Sequence, residues 1–170
     1  MDYFFTLDPS MATAIIFISR YGTVRKATNM LRGLLQDSLI QLIDLRHEPR
    51  PDISLYRRII LGGSIHSGHI QKRMKKFCAE YHDILLLKKI GLFICCMEKG
   101  LAAKEQFDEA YVADLRKHAR VHGLFGGEFI IEKMNLLDRW MVRKMKKITC
   151  SIYNLNIESI TEFARRMNES

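Results

Sequence analysis

A chain of 170 residues that is 48% hydrophobic and 27% charged, with only 10 Gly and 3 Pro, can bury one sizeable core. That composition excludes a disordered, collagen-like or low-complexity polymer. Lysine and arginine number 27 against 19 aspartates and glutamates, a formal charge of +8, which points to an anionic partner, whether nucleic acid, lipid headgroups, an acidic protein or a carboxylate-rich substrate.

Residues 1–11 carry Phe4 and Phe5 but no basic n-region, and Met11 offers an alternative initiator. They read as a leader outside the fold, ahead of one domain over residues 12–170. Residues 12–18 (ATAIIFI) form a nearly unbroken apolar run, the pattern of a strand buried on both faces. Gly22 breaks it, and residues 23–36 predict a helix with Ala27, Met30, Leu31, Leu34 and Leu35 at helical spacing. Residues 38–45 and 57–61 predict two further strands. The proline-bearing stretch between them has no evident helix, and Gly62-Gly63 stops the third strand. A helix over 68–82 follows, then a strand over 90–96, a helix over 105–121 and a strand over 124–131. Helices over 134–148 and 156–167 close the chain, the last with Asn156 as N-cap. Alternation of this kind predicts a three-layer α/β domain with a parallel sheet.

In such a sheet, ligands gather beyond the carboxyl ends of the strands. Three chain segments are expected there. Ser19, Arg20, Tyr21, Gly22, Thr23 and Val24 open directly into a helix, with Arg25 and Lys26 behind them. Unpaired N–H groups at a helix start suit a phosphate, although any α/β protein needs such a turn. Ser64, Ile65, His66, Ser67, Gly68 and His69 follow the third strand. Flanking glycines there would let backbone approach a flat ligand, or the segment is a plain loop with two exposed histidines. His66 and His69 lack a nearby third ligand, so no metal is expected. The backbone of Cys96, Met97 and Glu98 follows the fourth strand, where Cys95 and Cys96 read as the small, buried end of a strand. Four cysteines without a C-x-x-C pair fit a reduced, cytoplasmic compartment, and no apolar run reaches the roughly 18 residues that span a bilayer.

The segments IIFISRYGTVRKA, YRRIILGGSIHSGHI and IGLFICCME resemble a flavodoxin-type FMN-binding domain. The downstream stretch GLFGGEF, LLDRWMVRKMKKI and ITEFARRM resembles the branch that contains menaquinone-dependent protoporphyrinogen dehydrogenase. The resemblance implies an α/β/α sandwich with a five-stranded parallel sheet of order 2-1-3-4-5. It implies FMN held by the phosphate loop Ser19–Val24, with Ser64–His69 on one side of the ring and Cys96–Glu98 on the other. It further implies a porphyrinogen-type substrate and a quinone acceptor. Val24 stands where the family's phosphate loop has a hydroxyl residue. The stacking aromatic and acidic charge of small electron carriers are both missing.

Within residues 136–148, Leu137, Met141, Met145 and Ile148 form one helical stripe, flanked by Leu136 and Trp140. Arg139, Arg143, Lys144, Lys146 and Lys147 occupy the rest. This stripe is expected to cover the sheet, leaving a basic outer face for peripheral contact with anionic lipid on the inner side of the membrane. A second cluster, Lys72, Arg73, Lys75 and Lys76, would extend the positive field around the site. No nucleic-acid signature is present. The leading expectation is an FMN-dependent oxidoreductase. An FMN electron carrier serving a redox partner protein is the nearest alternative. A flavin-free module that binds through its basic face is the rival of another class.

Overall fold

The computed structural model describes residues 12–147 and 150–170. The expected leader at residues 1–11 lies outside the described residues, as do residue 148 and the side chains of Met145 and Lys146.

Strand β1 (Ala12–Ile18) is buried at every position. Its alternation divides the core in two, because successive side chains of a strand point to opposite faces. Ile15 and Phe17 pack with Ala27 and Leu31 of α1 (Thr23–Leu34) and with Ile160, Phe163 and Met167 of α7 (Ile157–Asn168). Ala14, Ile16 and Ile18 join the opposite core. There they meet Met74 and Phe77 of α2 (Lys72–Glu80), Leu85 of α3 (His82–Leu85), Ala103 and Phe107 of α4 (Gly100–Ala110) and Leu115 of α5 (Ala113–His118). The strands run β2 (Leu39–Asp44), β1, β3 (Arg58–His66), β5 (Lys89–Cys95) and β6 (Val121–Leu124), each pair parallel. Counting only those five, the order is the expected 2-1-3-4-5.

The crossover between β2 and β3 contains no helix. It is seated instead by buried Ile53 and by a hydrogen bond from the Tyr81 hydroxyl to the Pro51 carbonyl at 3.0 Å.

Several boundaries differ from expectation. Gly62 and Gly63 do not end the third strand, which continues to His66 and folds back through Ser67 and Gly68 into the short antiparallel β4 (His69–Ile70). A Cβ at position 62 would stand 1.9 Å from Phe93 Cζ, and one at 63 would stand 2.9 Å from Ile70 Cγ1. The glycines therefore make room for core side chains on the two faces. This hairpin also moves the start of the next helix from residue 68 to Lys72. The expected helix over 105–121 is two, α4 and α5, separated by buried Tyr111. The fifth parallel strand is β6, upstream of the expected 124–131. Beyond it the chain turns at Gly126, and β7 (Gly126–Phe129) pairs antiparallel with β8 (Ile152–Leu155), a strand the sequence pattern did not reveal. Asn156 does cap α7, accepting the Ser159 N–H at 2.9 Å.

Helix α6 (Leu136–Lys146) departs most. Leu137 is 66% and Trp140 56% exposed, and Leu136 is exposed as well. Among the described residues, its apolar stripe therefore does not cover the sheet. Sheet-facing positions on that side are already filled by α1 and α7, and α6 instead lies at the carboxyl edge of the strands.

Candidate functional site

The turn from β1 to α1 is built for an anion at its main chain. Gly22 has φ 100°, a conformation that favours residues without a Cβ, and it aims the chain into α1. The first intrahelical bond runs from the Lys26 N–H to the Gly22 carbonyl at 2.9 Å. The N–H groups of Thr23 and Val24 therefore precede the helical ladder, at the positive end of the helix. Buried Ser19 accepts the Arg25 N–H at 3.3 Å and ties the strand end to the helix start. Val24 is buried among Ile15, Phe17, Ala27 and Leu31, so its methyl groups serve the core.

At the second segment, Gln71 clamps Ser64. Its Oε1 accepts the Ser64 N–H at 3.2 Å, and its Nε2 donates to Ser64 Oγ at 2.6 Å. Ser64 Oγ lies 3.1 Å from His66 Nε2, and the His66 ring meets the Tyr21 ring edge-on at 5.9 Å. Burial pushes the His66 pKa below its usual value and the Arg20 charge adds to this, with Asp138 opposing. The imidazole is thus neutral near pH 7. His69 turns away, 69% exposed at its side chain, toward Glu109 at 3.3 Å.

At the third segment Cys95 and Cys96 are both buried. Burial pushes the Cys96 thiol up to about 11 and the Cys95 thiol higher still. Such thiols are packing groups rather than nucleophiles.

These segments meet around a cavity of about 340 Å³, closed on its remaining sides by β7 and α6. That volume falls within the usual range for small-molecule sites, roughly 300–1,000 Å³. Every expected site residue lines it except Gly22, which shapes the turn from behind, and His69. The basic cluster on α2 does not reach it. Lys75 pairs with Glu109, Lys76 with Glu80, and Arg73 donates to the Leu45 carbonyl.

Four contributors escaped the sequence reading. Asp138 of α6 accepts the Tyr21 hydroxyl and pairs with Arg20 at 2.8 Å, fastening the helix over the cavity mouth. Burial, then this hydrogen bond, raises the Tyr21 pKa. Glu128 of β7 enters the cavity and pairs with Lys26 at 2.8 Å. Lys133 Nζ stands over the turn, 3.6 Å from where a Cβ on Gly22 would be. Gln106 lines the cavity with a buried Oε1 that has no hydrogen-bond partner among the described residues. Asp138 lies within the basic helix already singled out. Glu128 and Lys133 carry no local pattern, since their roles depend on where the β7–β8 hairpin lands.

The arrangement fits a flat, amphipathic ligand with an acidic tail. Among the described residues it offers main-chain donors without a partner at one end, apolar walls (Ile65, Met97, Met134, Met141 and Val142) along its length, and an unpaired acceptor at Gln106.

The sequence profile of the flavodoxin domain matches residues 14–159. No curated protein matches the chain in sequence. Among solved structures, oxidised flavodoxin 1 from Bacillus cereus superposes with a TM-score of 0.61 at 18% identity, over 93% of this chain and 97% of that one. A short-chain flavodoxin associated with a non-canonical PDU bacterial microcompartment gives 0.55 at 13% identity, over 94% and 97%. A flavo-diiron protein from Thermotoga maritima gives 0.53 at 16% identity, over 94% of this chain and 36% of that one. At such identities the structural likeness speaks for the fold.

Proposed function

The chain belongs to the flavodoxin domain family, and we propose that it binds FMN and works as a flavin-dependent electron-transfer protein. The observation that carries this reading is the meeting of three chain reversals around one cavity, with N–H groups at its α1 end that have no partner among the described residues. When bound, FMN supplies the redox chemistry. The protein's part is to bind, orient and shield. The N–H groups of Thr23 and Val24 would hold the phosphate. Ser64–Gly68 and Cys96–Glu98 would flank the ring. Gln106 Oε1 would accept a ring N–H, and Met134, Met141 and Val142 would exclude water. The test is reconstitution: purified protein incubated with FMN and desalted should retain a yellow flavin spectrum. A folded protein that retains none would remove this reading and leave the flavin-free interaction module.

One observation favours a narrower reading, an oxidoreductase for a porphyrinogen-type substrate with a quinone acceptor. Helix α6 lines the cavity with one face and exposes Leu136, Leu137 and Trp140 on the other, beside exposed Arg143, Lys144 and Lys147. An apolar and cationic surface at a cavity mouth suits peripheral contact with anionic lipid and a lipid-soluble or polyanionic substrate. No described helix is long and apolar enough to cross a membrane. Protoporphyrinogen oxidation with a menaquinone analogue separates the two readings. A rate no better than that of free FMN eliminates the enzyme and leaves the carrier that serves a redox partner protein.

A further inference from the structure

Each cation carried by the β1–α1 turn itself already has a carboxylate, while Lys133 Nζ also stands over the turn. Arg20 pairs with Asp138 at 2.8 Å, Arg25 with Asp44 at 2.6 Å and Lys26 with Glu128 at 2.8 Å. Glu128 differs from the other two in where it sits. Its side chain is 1% exposed, and its Oε2 accepts a hydrogen bond from Thr23 Oγ1 at 3.3 Å, at the first residue of α1. It thus takes a hydroxyl and an ammonium from the donor set that a phosphate at this helix start would use. Glu128 is also held in place. The backbone of β7 lies directly against the residue that follows β5, with the Cys96 carbonyl carbon 2.8 Å from where a Cβ on Gly127 would be. Pairing with β8 at Tyr153 fixes its register from the other side.

We propose that Glu128 sets the phosphate selectivity of this site. By supplying its own negative charge to the start of α1, it leaves the 5′-phosphate of FMN little to gain over riboflavin, whose tail is uncharged. A buried carboxylate and a phosphate sharing one donor set repel each other, and burial weakens the screening between them. The missing hydroxyl at Val24 acts in the same direction, since it removes a side-chain donor that would favour the phosphate alone. This inference rests on the flavin reading above.

The experiment titrates the full chain with FMN and with riboflavin in parallel, following quenching of flavin fluorescence, for the unaltered protein and for Glu128→Gln. The amide keeps the shape and removes the charge. The unaltered protein should bind the two flavins with affinities within about tenfold of each other. Glu128→Gln should bind FMN roughly tenfold or more tightly, about 1.4 kcal/mol, with riboflavin binding unchanged. An unchanged FMN-to-riboflavin ratio in the variant overturns the inference and leaves the flavin reading intact. Binding of neither flavin by either protein, with native circular dichroism, overturns both. Lys26→Gln is the second variant, because its half-exposed side chain can be replaced without disturbing the core. Removing this counter-charge should weaken FMN alone, and equal weakening of both flavins would count against the assignment.

Discussion

Replacing Gly62 with alanine tests how closely the centre of the sheet is packed. The new methyl would stand 1.9, 2.1 and 2.4 Å from Cζ, Cε1 and Cε2 of Phe93, whereas carbon atoms in contact sit about 3.5–4.0 Å apart. Phe93 has no space to retreat. Its ring stacks on Phe125 at 4.4 Å and meets Phe163 edge-on at 6.3 Å, and all three are buried. Overpacking of this kind typically costs about 1–3 kcal/mol, and an overlap this deep belongs at the upper end. Alanine's better backbone entropy returns roughly 0.5–1 kcal/mol, leaving a net loss of about 2 kcal/mol. Urea denaturation followed by circular dichroism should show a lower midpoint with an unchanged slope. Combined with Phe93→Leu, which removes the clashing ring edge, the loss should fall short of the sum of the single losses by about 1 kcal/mol or more. A Gly62→Ala protein as stable as the parent, or a strictly additive double variant, would refute the packing argument.

Val24→Thr should lower the stability of the flavin-free protein by about 1 kcal/mol, because a hydroxyl enters a largely apolar site. Saturating FMN should restore much of it, and unfolding midpoints with and without FMN measure both effects. Tyr111→Phe removes a buried hydroxyl that donates to the Phe93 carbonyl at 2.7 Å and lies 3.2 Å from the Leu61 carbonyl. A loss of about 1–2 kcal/mol is expected, and no change in thermal midpoint would contradict it. Burial alone would raise the Asp44 pKa, but hydrogen bonds from Arg46 and the charges of Arg46 and Arg25 outweigh it and hold the carboxylate below its ordinary value. Its contribution is therefore complete above the unfolded value of about 3.9 and is lost as pH falls through the lower folded value. Asp44→Asn should lower stability at neutral pH and flatten the acid limb of a stability–pH profile.

Much of this protein was legible in order along the chain. The buried run at 12–18, the helical spacing of Ala27 and Leu31 and the cap at Asn156 are local consequences of side-chain pattern. So was the placement of three turns at the ends of parallel strands, because strands followed by helices leave those turns on one edge. What stayed hidden depends on contacts distant in sequence. Gly62 and Gly63 read as a break, yet they continue a strand because Phe93 and Ile70 fill the space they leave. Residues 126–129 fall within the strand expected over 124–131, but they leave the parallel sheet to pair with 152–155, a strand that carries no pattern of its own. Leu137 and Met141 read as part of a sheet-facing stripe flanked by Trp140, but α1 and α7 already occupy that face, and the helix settles over the cavity. Glu128 is one acidic residue among 19 in sequence. It becomes the anion at the start of α1 only because a hairpin closes across the strand ends, and periodicity cannot report where such a hairpin lands.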